Sequence, residues 1–142
     1  MSKLEAVASM TVRKGQLEGF KRQAAEVIRQ AKEKDTKTLR YDWFLSDDQT
    51  RCEVHEIYAS SEGLIEHVMH IREARDQLFA KFADDHAIKI YGKPSAELLA
   101  MVNAHAHDGV KVQWYSFLNG LESSPVAEHA KANQLSGARL RR

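Results

Sequence analysis

The sequence predicts an α+β chain of the ferredoxin-like type, an antiparallel sheet with helices packed on one face. Three observations predict it. Leu4, Ala6, Ala8, Met10 and Val12 alternate with Glu5, Val7, Ser9 and Thr11, the period of a strand with one covered face. Leu17, Phe20, Ala24, Val27, Ile28 and Ala31 then recur at helical spacing, which predicts a helix over 16–33. In Val54 to His70 an extended segment runs through Ser60 and Ser61 directly into a second helix that carries two histidines, giving the order β-α-β-β-α-β with an added α-β.

Each element has its own signal. Leu39, Tyr41, Trp43 and Leu45 mark a second strand rich in residues that suit a pleated surface, and Arg51 to Ala59 a third. The short polar link Ser46 to Gln49 makes them an antiparallel hairpin. Ser60 and Ser61 read as the N-cap of the next helix, with Glu62 suiting the positive end of its dipole. Leu64, Val68, Ile71, Leu78 and Phe82 form that helix's apolar stripe, interrupted by Arg75, so that it reads as one helix or two, ended by Asp84, Asp85 and His86. A short fourth strand, Ala87 to Tyr91, stops at Gly92 and Pro94. Ser95 opens a third helix buried through Leu98, Leu99, Val102 and Ala106, which Asp108 and Gly109 close with a C-cap glycine. Val110 to Leu118 is a fifth strand. Residues 1–120 read as one domain, with 4–92 its core and 93–120 an added helix and strand; 121–142 reads as a tail with at most a short helix around Val126 to Gln134.

Composition bounds what the chain does. In 142 residues, 43% apolar and 29% charged, there is material for one core, and the balance is that of a soluble globular protein. A net charge of +1 with one basic cluster, Arg139, Arg141 and Arg142, gives no concentrated face for nucleic acid. No stretch has the apolar length of a membrane span or the core of a signal peptide, so the expected setting is cytoplasmic. Cys52 is the single cysteine, which rules out an internal disulfide, and its strand position reads as a buried, inert thiol rather than a nucleophile. Helices over one face of the sheet leave the other face to be closed, so a homodimer with two facing sheets is expected.

Val12-Arg13-Lys14-Gly15 after the first strand, Thr38-Leu39-Arg40-Tyr41 opening the second, Glu56-x-Tyr58 on the third and His67 early in the next helix carry a likeness beyond the periodicities. In their order and spacing they resemble the antibiotic biosynthesis monooxygenase family of dimeric α/β barrels, over about 4–91. Ile90-Tyr91-Gly92-x-Pro94-Ser95 and the fifth strand resemble its extended members. The resemblance implies oxidation of a small aromatic, phenolic or quinol substrate by molecular oxygen, often with no metal, flavin or haem, and hence no cofactor. It implies His67 as the base or hydrogen-bonding partner of the substrate, with Tyr41, Trp43, Tyr58 and Trp114 as pocket walls. The haem-degrading branch is disfavoured, because its asparagine, tryptophan and histidine fall at Ala8, His67 and Gln77. A non-catalytic dimeric module binding a small hydrophobic ligand is the alternative.

The residues themselves leave His67 open. It reads as a satisfied structural histidine, as a ligand contact, or with His70, Glu66 and Glu73 as a weak metal-ligand face; no metal is expected. His105 and His107 read as surface side chains at a helix end. Glu56, if it faces inward, needs a partner, and Arg40 on the neighbouring strand is the expected one, in a structural salt bridge rather than a catalytic acid.

Overall fold

A computed structural model describes residues 2–105 and 108–122. The elements run β1 (Leu4–Val12), α1 (Leu17–Lys34), β2 (Thr38–Leu45), β3 (Arg51–Tyr58), α2 (Ser61–Lys81), β4 (Ala83–Tyr91), α3 (Ala96–Ala104) and β5 (Lys111–Tyr115). They form one five-stranded sheet in the order β2-β3-β1-β4-β5. β1 lies at the centre, antiparallel to β3 and β4, and its alternate residues Leu4, Ala6, Ala8, Met10 and Val12 are all buried beneath the helices. The α+β, ferredoxin-like expectation therefore holds. The sheet is mixed, however: β5 runs parallel to β4. The reason is the connection, since α3 carries the chain back along the sheet before β5 begins, as a crossover between parallel neighbours requires.

α2 is one helix of 21 residues. Arg75 interrupts its stripe without breaking it, because that side chain faces a cavity instead of the packed core. Asp84, Asp85 and His86 do not end the helix; they belong to β4, which begins at Ala83. Neither Ser60 nor Ser61 caps α2 with its side chain. Ser60 is extended, its carbonyl takes the Gly63 amide at 3.0 Å, and its buried hydroxyl has no hydrogen-bond partner among the described residues. The Ser61 hydroxyl instead accepts from the Ser95 amide at 2.9 Å, tying α2 to the start of α3. Ser95 is a side-chain cap, accepting from the Leu98 amide at 3.1 Å.

In α3 only Leu98 is fully buried, and Leu99 is exposed. The helix ends at Ala104 with His105 as C-cap, so Gly109, at φ +85°, shapes the loop beyond it rather than the cap. β5 is shorter than expected, and Phe117 and Leu118 lie exposed past its end. His107, Ala106 and the expected short helix at 126–134 lie outside the described residues. Cys52 is buried, as expected, and its surroundings push the thiol up to about 11. No helix among the described residues is long and apolar enough to cross a membrane.

Candidate functional site

Two chemically distinct regions lie beneath the helices. The first is a buried polar cluster built by the α1–β2 turn, α2 and β3. Asp35 is the C-cap of α1 in extended conformation, its amide bonded to the Ala31 carbonyl, which turns its side chain under α2. His67 and His70, three residues apart on α2, reach it from above. His67 Nδ1 lies 2.7 Å from Oδ2 and His70 Nδ1 lies 2.7 Å from Oδ1, while the Thr38 hydroxyl donates to Oδ2 at 2.7 Å. Burial pulls the Asp35 carboxyl up, but the hydrogen bonds from His67, Thr38 and His70 outweigh it, and its pKa is lowered. An ionised carboxylate only accepts, so both imidazoles carry their hydrogen on Nδ1 here. Glu66 braces the same turn, accepting from the Thr36 amide at 2.5 Å and the Lys37 amide at 3.1 Å.

On the sheet below, Glu56 and Tyr58 point inward with Tyr41. The Tyr58 hydroxyl donates to Glu56 Oε1 at 2.5 Å. Burial raises the Glu56 carboxyl, and burial followed by the Glu56 charge raises both Tyr41 and Tyr58 well above the ordinary phenol value. Arg40 is not the partner of Glu56. It pairs in register with Ile57, on the opposite face of the sheet, and its guanidinium bonds Asp42 at 2.8 Å.

The structure thus gathers four of the five candidate residues: His67, 2% exposed, stands edge-on to Tyr41 with ring centroids 4.5 Å apart and 5.3 Å from Tyr58. Trp43 packs on Tyr41 at 5.9 Å. Trp114 stands apart on β5, level with Ile90. The expected face of His67, His70, Glu66 and Glu73 does not converge as such; the ligand atoms that do come together, within 4.8 Å of one another, belong to Asp35, Glu66 and His70. All three are already engaged in the hydrogen bonds above.

The second region is a cavity of about 620 Å³ between α2, α3 and the β4–β5 half of the sheet. Its floor is apolar, with Ile88, Ile90 and Val112 from the sheet, Leu64 and Val68 from α2 and Leu98 and Val102 from α3. Its rim is charged, with Arg72, Arg75, Asp76, Asp84, Asp85, His105 and Asp108, and His86 beside them. None of His67, Tyr41, Trp43, Tyr58 or Trp114 lines it. Tyr41 and Asp35 line a separate depression of about 350 Å³ beside α1.

Arg13, just after β1, fixes the corner of this cavity. Its guanidinium donates to Asp84 Oδ1 at 2.8 Å and to the carbonyls of Ala80, Phe79 and Ala83 at 3.1, 3.2 and 3.2 Å, satisfying the end of α2 and the start of β4 together. His86 stacks on Phe79, with centroids 4.2 Å apart and planes 18° from parallel. Burial, then the charge of Arg75, lowers its pKa to about 4. Sequence reasoning missed His86, Asp85 and Asp35, because it assigned all three to connections.

No family model matches the sequence, and no curated protein does. Solved structures do. MupZ from Pseudomonas fluorescens superposes with a TM-score of 0.70 at 21% identity, covering 89% of this chain and 98% of that one. That share is too large to be met by 4–92 alone. Two proteins provisionally named antibiotic biosynthesis monooxygenases, from Nitrosomonas europaea and Caulobacter crescentus, both superpose with TM-scores of 0.58. Their identities are 22% and 20%, over 64% and 63% of this chain and 89% and 87% of theirs. The chain has the antibiotic biosynthesis monooxygenase fold. At such identities the likeness is one of architecture.

Proposed function

We propose that the chain is a cofactor-independent monooxygenase that binds a small aromatic, phenolic or quinol molecule between α2, α3 and the sheet. The cavity carries this reading. Its volume of about 620 Å³ lies within the roughly 300–1,000 Å³ typical of small-molecule sites, and its apolar floor under a charged rim suits a flat ring with one ionisable group. In such a pocket a base removes a proton, the electron-rich anion reacts with oxygen, and collapse of the peroxide turns a ring CH₂ into a carbonyl with release of water. The protein then supplies a base and a dry surface. The shared fold with proteins named as monooxygenases supports the same reading. The proposed assembly is a homodimer closed over the uncovered sheet face, and the proposed setting is cytoplasmic, where a lone Cys52 stays reduced.

Oxygen uptake with an anthrone or a hydroquinone tests the proposal. Val102→Trp, which puts an indole where the cavity is lined by a half-buried valine, is expected to lower the rate at least tenfold without loss of fold. His67→Ala, compared per folded molecule, is expected to keep it. Saturable binding with no turnover by the native protein would leave the non-catalytic ligand-binding module in its place.

A further inference from the structure

We propose that His86, carried into the cavity by a bulge of β4 with Asp85 beside it, is the proton acceptor of this site. The inference rests on the reading of the cavity as the substrate site.

The bulge decides where His86 points. Thr11 pairs with Asp84 and Ser9 with Ala87, so Met10 alone faces Asp85 and His86, and β4 holds one extra residue there. Ala83 is buried against Val12 on the helix side of the sheet. Strict alternation from Ala83 would send His86, Ile88 and Ile90 to the opposite face; the extra residue returns all three to the helix side. Asp85 absorbs the irregularity at φ +59°, a left-handed conformation that is uncommon for a residue with a side chain and concentrates at functional sites. The same step lets Asp84, Asp85 and His86, consecutive in sequence, line a single cavity.

His86 is also free to react. Its ring face is spent on Phe79, while neither ring nitrogen has a hydrogen-bond partner among the described residues. His67 differs in both respects, being sealed from solvent with Nδ1 committed to Asp35. The titratable and charged groups that share the cavity with His86 are Arg72, Arg75 and Asp76 from α2, Asp84 and Asp85 on its own strand, and His105 and Asp108 at the end of α3, with Arg13 bound to Asp84; of these Arg75 acts on the imidazole. Arg75 holds Asp76 at 3.3 Å and His105 holds Asp108 at 3.0 Å. Burial and Arg75 keep the imidazole neutral at physiological pH. In the step proposed, a ring nitrogen takes H⁺ from an acidic C–H or O–H of the substrate, the N–H bond forms as that bond breaks, and the electron pair stays on the substrate. The imidazolium is then balanced by the substrate anion.

Proton abstraction can be read without oxygen. 1,8-Dihydroxyanthrone in D₂O under anaerobic conditions exchanges its ring CH₂ hydrogens when a base removes them, and NMR follows the loss. The native protein is expected to catalyse saturable exchange, level above about pH 5 and falling below it with an inflection near 4. His86→Gln is expected to lose about a hundredfold, the usual worth of a general base. His86→Ala is expected to regain activity with added imidazole, which a merely structural role would not show, and His55→Gln on the opposite face should be unchanged. Exchange without oxygen uptake keeps the base and removes the oxygenase. No exchange by the native protein, or exchange within threefold of native in folded His86 variants, overturns the inference. If neither variant folds, exchange undiminished in Val102→Trp, which fills the cavity, overturns it.

Discussion

Asp35 and His86 both depend on pH, by opposite chemistry. The Asp35 carboxyl titrates lower folded than unfolded, so its stabilisation is present above the ordinary carboxylate value near 3.9 and is lost as pH falls through the lower folded value. His86 titrates at about 4 folded against about 6.5 unfolded, so between those values the unfolded chain binds the extra proton. Stability should therefore fall as pH drops from about 6.5 to 4, by at most on the order of 3 kcal/mol for a shift of that size, and fall again below about 4 as Asp35 protonates. Urea unfolding midpoints across pH check this. His86→Phe should flatten the upper limb alone. Asp35→Asn should remove the lower one and cost about 3 kcal/mol at pH 7, since a buried imidazole N–H, that of His67, and a half-buried one, that of His70, lose their charged acceptor. An upper limb that survives in His86→Phe would mean that another group carries it.

At the scale of elements, the α2–β4 corner hangs on Arg13. Replacing it by alanine leaves the carbonyls of Phe79, Ala80 and Ala83 without their shared donor, and a lower urea midpoint is expected. Hydrogen exchange should then quicken in the last turn of α2 and the first residues of β4 before it quickens elsewhere. Gly63 makes a comparable demand on α2: a Cβ there would stand 2.9 Å from that of Lys37 and 3.2 Å from its carbonyl oxygen, so Gly63→Ala must push the Glu66-braced turn away from the helix. Alternation and helical spacing made β1, α1, β2, β3 and most of α2 legible, because each buries one face and so writes its period into the sequence. The same alternation already denied the Arg40–Glu56 pair, since Arg40 sits between Leu39 and Tyr41 whereas Glu56 shares a face with Val54 and Tyr58. A bulge leaves no such mark. Asp84, Asp85 and His86 carry the polarity of a loop, and only their pairing with β1 reveals them as strand. Asp35 was hidden for a related reason, a turn residue in sequence that becomes a core residue once α2 lies across it.

For the whole molecule the open question is the second face of the sheet. Val7 and Ile57 lie at its centre, with the Phe44–His55 contact to one side and the stacked Tyr91–Tyr115 pair to the other, each with centroids 5.1 Å apart. Phe44 is 49% and Tyr115 43% exposed, and no element among the described residues covers them. Between these apolar groups stand Glu5, Arg40, Asp42, Glu53 and Lys89, opposite charges that a two-fold axis can set against one another. Five strands about 4.8 Å apart and some eight residues long make a face of the order of 600 Å² before side-chain relief is added, close to the roughly 800 Å² per partner of a standard interface. Sedimentation equilibrium at micromolar concentration is therefore expected to give twice the 16.1 kDa chain mass. Ile57→Lys, at the centre of that face and outside the helix-covered core, should give the chain mass while far-UV circular dichroism stays native. The cavity under α2 and α3 lies on the other side of the sheet, so ligand binding should survive in that variant if the dimer only seals the sheet, and should weaken if the seal holds β4 in register for His86. A native protein that sediments as a single chain would refute the facing-sheet dimer.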